Sequence, residues 1–137
     1  LEGPWTRLNK GLEPIKTIHP QFVENPIVSQ LPNGLYIAIF DGGPEGWGHH
    51  LPNMIGYSLS KDGINWGEAR YLPIETKVDK WWDIMRTPLC LIPEGNDVYT
   101  IVYNAIDLKR RFHPTGMVKV KLNREIMESR LQELEKE

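Results

Sequence analysis

The sequence predicts an all-β protein: antiparallel four-stranded sheets of the propeller-blade kind, about two of them, followed by one C-terminal α-helix. Three observations predict it. Twelve Gly and eleven Pro in 137 residues cut the chain into short segments, against a helical bundle. Asn33-Gly34 and Asp62-Gly63 each stand between short apolar runs, the strongest local signal for a tight reversal between strands. The chain also echoes itself at a spacing of 61 to 63 residues, the mark of a repeat architecture.

Residues 26–30 read as a first strand, ended by the Leu31-Pro32-Asn33-Gly34 turn. Residues 35–40 are apolar almost throughout and too few for a helix, so they read as a buried second strand. A loop rich in Gly, Pro, Trp and His spans 42–53. A third strand covers 54–60, the Asp62-Gly63 turn comes next, and a fourth strand is expected over 67–74. Then the pattern returns. Pro88 stands 62 residues after Pro26, Pro93 stands 61 after Pro32, and Tyr99 stands 63 after Tyr36. Residues 86–91, 98–103 and 117–122 therefore repeat strands one to three, with a turn expected at Pro93-Glu94-Gly95. Residues 124–136 place Met127, Leu131 and Leu134 on one helical face, with Asn123 as cap and Glu125 in the first turn. The chain thus divides into blades over 1–123 and an amphipathic helix over 124–137.

A repeated four-stranded antiparallel unit is a propeller blade, and a ring takes four to eight of them. Residues 24–74 make one blade, 86–122 most of another, and Gly3-Pro4-Trp5 echoes the end of a preceding one. Two blades alone would leave sheet edges and an apolar face open. The expected partners are therefore the remaining blades, from an N-terminal part of the same protein or from another chain. A net charge of −2 and a basic run of only three residues (Lys109-Arg110-Arg111) offer no footprint for nucleic acid. No apolar run approaches the ~20 residues of a membrane span. One cysteine, Cys90, in an apolar strand excludes an internal disulfide framework.

Strand parity locates the chemistry. In a four-stranded meander both tight turns lie at one end. The other end gathers Glu24 and Arg86 at the starts of the two first strands, Asp41 at the exit of the second, the 42–53 loop and the linker 79–83. First strands lie nearest a propeller axis, so Glu24 and Arg86 should approach each other. Trp47, His49, His50, Trp81, Trp82 and Asp83 fall on the same rim. Aromatic faces beside polar groups suit a sugar, whose apolar faces stack while its hydroxyls need paired donors and acceptors.

Glu24-Asn25-Pro26 followed by Asn33-Gly34-Leu35-Tyr36-Ile37, then Ile55-Gly56-Tyr57-Ser58 leading to Ser60-Lys61-Asp62-Gly63-Ile64-Asn65-Trp66, resembles the five-bladed β-propeller glycosidases, the arabinanase and β-xylosidase type of glycoside hydrolase family 43 and its relatives. With Gly3-Pro4-Trp5 the likeness covers about residues 3–122. It implies a portion of a hydrolase acting on glycosidic bonds of plant-type or other polysaccharides and oligosaccharides. Glu24 takes the place of the family's general acid, and the two companion aspartates are expected in earlier blades. Arg86, Trp47, His49, Trp82 and Asp83 are the candidate substrate-binding residues. It implies no cofactor beyond, at most, a structural calcium ion, and a location outside the cytoplasm, secreted or periplasmic. Asn25 departs from the small residue usual in the family, and Arg86 from the His often found on its last blade.

Each assignment has a plainer counterpart. Glu24 and Arg86 also suit a channel-lining ion pair in a non-catalytic carbohydrate-binding or scaffold propeller, and such a pair holds a Glu ionised, unfit as an acid. Trp5 and Trp66 suit the space between blades. His49-His50 are adjacent, point apart and lack a third ligand nearby, so no metal site is expected there. Asp62 suits a bond to its own turn backbone.

Overall fold

The computed structural model describes residues 3–4, 23–42, 54–74 and 82–134. They form antiparallel β-sheets and one C-terminal helix. The first sheet runs β1 (Val23–Gln30), β2 (Tyr36–Gly42), β3 (Ile55–Ser60) and β4 (Arg70–Tyr71), in that spatial order. The second runs β5 (Ile84–Gly95), β6 (Val98–Ile106) and β7 (Thr115–Lys121). The helix α1 spans Arg124–Leu134.

Turn chemistry explains the reversals. Gly34 takes φ +86°, a conformation glycine adopts without penalty, and the β1–β2 turn closes there. The β5–β6 reversal lies later than the sequence suggests. β5 runs on to Gly95, and Asn96 and Asp97 occupy the left-handed region at φ 51° and 63°, the primed geometry that matches strand twist. The fourth strand is also shorter than expected: Trp66 makes an isolated bridge to Ser60, and only Arg70 and Tyr71 pair with β3. Pro73, with no N–H to give, ends it.

Side-chain alternation gives each sheet a front and a back. On the first sheet the front carries Ile27, Ile37, Ile39, Asp41, Ile55, Tyr57 and Leu59, and the back carries Ala38, Phe40, Gly56 and Ser58. The front packs onto the second sheet through Met85, Tyr99, Ile101, Tyr103 and Ala105, one continuous core joining both sheets. On the back, Phe40 lies over Gly56, where any Cβ would run into the Phe40 ring and the Gly42 carbonyl. Ala38, Phe40 and Ala69 form a second cluster there, with Val23 and Trp66 packed against it. Backbone bonds tie the sheets together as well: Met54 N–H donates to the Met85 carbonyl at 3.0 Å.

The helix starts where the sequence places its cap. Asn123 Oδ1 accepts the Ile126 N–H at 3.2 Å. Met127 and Leu131 pack into the core shared by the two sheets. Polar contacts reach both: Arg124 pairs with Asp97 at 2.6 Å, and Glu133 with Arg70 at 3.6 Å.

Candidate functional site

The starts of β1 and β5 and the exit of β2 converge, and three charged residues meet there. Glu24 and Asp41 face each other across the β1–β2 ladder. Arg86, near the start of β5, donates from Nε to Asp41 Oδ2 at 2.8 Å, and Thr87 Oγ1 donates to the same oxygen at 2.8 Å. The Arg86 Nη2 atom lies 3.9 Å from Glu24 Oε2. Asp41 is fully buried, Arg86 mostly buried, and the Glu24 side chain is 49% exposed. A buried carboxylate and its partner therefore form the floor, and a solvent-facing carboxyl group stands above them.

The local backbone aims Glu24. The ladder between β1 and β2 shifts register between Glu24 and Ile27, and Asn25 in that gap takes φ 49°. Asn tolerates this left-handed conformation better than most residues, and the bulge turns the strand where it meets the second sheet. β5 carries a matching irregularity between Met85 and Pro88. Both first strands thus bend at the same point, bringing Glu24 and Arg86 together.

Electrostatics order the cluster. Two carboxylates and one guanidinium leave a net charge of −1. Asp41 makes the shorter contact with Arg86 and its Oδ2 also accepts from Thr87, so the guanidinium is anchored from below, while Glu24 at 3.9 Å is an ion-pair partner beyond hydrogen-bond distance. The Asp41 Oδ1 atom is buried and has no hydrogen-bond partner among the described residues.

The other expected site residues separate. Trp82 is 8% exposed and belongs to the core, meeting Tyr103 edge-on with ring centroids 6.2 Å apart. Its ring is packed inside the protein and offers no open face for stacking. The Asp83 carboxylate is exposed and accepts the Leu108 N–H at 2.7 Å, while its own N–H bonds the Ile106 carbonyl. It thereby pins the connection that leaves β6. Trp47 and His49 lie outside the described residues, as do His50 and Trp81. Among the described residues no group of three His, Cys, Asp or Glu side chains stands close enough to hold a metal ion.

Asp41 and Thr87 complete the cluster; strand parity places Asp41 at this end, but no motif gives a role to it or to Thr87. One signal was available for Asp41. It closes an apolar run, Ile37 to Phe40, and an acidic side chain that follows a buried strand into the protein requires a partner. The clefts beside α1 lie elsewhere. One of about 300 Å³ is lined by the β1–β2 turn, Asp97, Tyr99, Arg124 and Met127, at the opposite end of the sheets.

No protein-family model, no curated protein and no solved structure matches this chain.

Proposed function

We propose that the chain is part of a five-bladed β-propeller of the glycoside-hydrolase type, with Glu24 as the general acid that protonates the departing glycosidic oxygen. The observation that supports this most is the meeting of Glu24 and Arg86. They hold equivalent places in the two repeats, and they converge at 3.9 Å where first strands would line a channel. A propeller axis is where first strands of successive blades approach each other, so the convergence suits that architecture.

Glu24 has the accessibility the role requires, since a general acid must reach within hydrogen-bond distance of the leaving oxygen. Arg86, held by Asp41, would orient a substrate hydroxyl beside it. Water activation would come from a carboxylate on a further blade, at the wider separation of inverting enzymes. A second reading, a carbohydrate-binding or scaffold propeller without turnover, draws on the same Arg86–Glu24 contact, taken as a channel-lining ion pair.

Glycoside hydrolysis by the full-length protein separates the two, since the second reading expects none, and Glu24→Gln then tests the assigned acid. Loss of a general acid lowers kcat on glycosides with poor leaving groups by about 10²–10⁴-fold. The loss should be much smaller on dinitrophenyl glycosides, whose leaving group departs without a proton. Unchanged hydrolysis of both substrates by Glu24→Gln removes Glu24 from the chemistry.

A further inference from the structure

We infer that the front of the second sheet, centred on the cross-strand row Cys90–Val102–Met117, is an interface for another antiparallel sheet of the same repeat, supplied by polypeptide of the same protein outside these 137 residues. The inference rests on the propeller reading above and extends it to a particular face and a particular kind of partner.

The junction between the two sheets sets the pattern. Aligning β2 with β6 at a spacing of 63 residues sets Tyr36, Ala38 and Phe40 against Tyr99, Ile101 and Tyr103, and Ile37, Ile39 and Asp41 against Thr100, Val102 and Asn104. The front of the first sheet packs on the back of the second. The junction is therefore head to tail, and a head-to-tail contact between equivalent units leaves one front and one back unused. The back of the first sheet is closed over β2, where Ala38 and Phe40 are 0% exposed, and opens only at its β1 edge, where Val28 opposite Ala38 is 51% exposed. The front of the second sheet is open, with Met117 72% and Ile92 45% exposed. Cys90, Val102 and Met117 stand side by side across β5, β6 and β7.

The edge agrees with the face. β3 carries β4 on its outer side, whereas β7 is the last strand of its sheet among the described residues. The helix beyond β7 packs its apolar side into the junction already made. That junction also specifies the occupant's chemistry: a strand offering aromatic and aliphatic residues in turn along one face, as Tyr99, Ile101 and Tyr103 do. Asn104 stands where the first sheet has Asp41, so the incoming first strand does not need an arginine. Polar pairs frame the apolar row, Thr115 with Asn104 at 3.1 Å and Lys119 with Glu94 at 3.3 Å.

Cys90 is the sole cysteine and reports on this face directly. In the native full-length protein, N-ethylmaleimide should alkylate it at least a hundredfold more slowly than in guanidinium. Met117→Asp should restore alkylation to within tenfold of the unfolded rate. Because Met117 is exposed in this chain, the same substitution should leave the melting temperature of the 137-residue chain unchanged while lowering that of the full-length protein. Rapid alkylation of the native full-length protein overturns the inference. So does protection that survives Met117→Asp, since the shielding would then come from the sheet itself. Neither readout depends on hydrolysis, so a failed Glu24→Gln test and a failed interface are told apart.

Discussion

The two sheets have the same strand order and different fronts. Where the first sheet has Ile37, Ile39, Asp41, Ile55 and Leu59, the second has Thr100, Val102, Asn104, Thr115 and Lys119 at matching ladder positions. One front is the core of the molecule and the other faces outward. The difference shows that strand formation and strand burial are separate properties of the sequence. Alternation and turn residues make the strand, and the chemistry of every second side chain decides what it packs against.

The sharpest way to break the comparison is at Asp41 and its counterpart Asn104. Asp41→Ala leaves the Arg86 guanidinium without its anchor in a mostly buried position. Removing one partner of a buried pair costs about 3–5 kcal/mol. Arg86 is 20% exposed and water recovers part of its hydration, which places the expected loss at the lower end of that range. Asn104→Ala removes a neutral amide whose side-chain oxygen accepts a bond from Thr115, and the loss should be well below half as large. Chemical denaturation of the two variants measures the gap. Equal losses would mean that the buried pair contributes nothing special.

The next contrast is in apolar packing. Ile39 is 0% exposed between the sheets, and Ile39→Ala should cost about 2–5 kcal/mol through lost burial and the cavity left behind. Val102, its half-buried equivalent, should lose much less when cut to Ala in this chain. In the full-length protein the Val102→Ala loss should rise, because the further sheet proposed above would cover it. A Val102→Ala loss identical in both settings would leave the second front a solvent-facing surface.

These contrasts mark how far the sequence could be read. The strands, their order and the helix with its Asn123 cap follow from period, turn residues and repetition. So does the approach of Glu24 to Arg86, which parity alone places at one end. Burial was less legible. Trp82 stands in a linker rich in aromatic and charged residues and reads as a rim residue, yet the second sheet closes over it beside Tyr103. The β5–β6 turn escapes a reading by residue type, because Gly95 is the stronger turn residue while Asn96 and Asp97 carry the reversal. The Asp41–Arg86 bond joins residues 45 apart; parity puts both at one end, but nothing in local pattern announces that they bond each other.

The smallest contrast lies just beyond the third strand of each repeat. Two residues past β3, Asp62 receives the N–H groups of Asn65 and Ile64 at 2.7 and 2.8 Å, the Asn65 side-chain amide and the Ser60 hydroxyl. Two residues past β7, Asn123 receives the Ile126 N–H. After Asp62, Gly63 at φ +74° turns the chain toward β4, whereas Arg124-Glu125-Ile126-Met127 continue as helix. The same slot thus opens a strand in one repeat and a helix in the other. The Asn65 and Ile64 donors hold the Asp62 carboxyl well below the usual carboxylate range. A depressed folded pKa gives stability that is fully present above the unfolded value, about 3.9, and is lost as pH falls through the folded one. The melting-temperature gap between wild type and Asp62→Ala should therefore hold steady from pH 7 to about 5 and narrow below about 4. Asn123 does not titrate, so loss of its capping bond in Asn123→Ala should cost about 1 kcal/mol with little dependence on pH over the same range. A gap for Asp62→Ala as flat as the one for Asn123→Ala would show that those donors do not favour the ionised carboxylate.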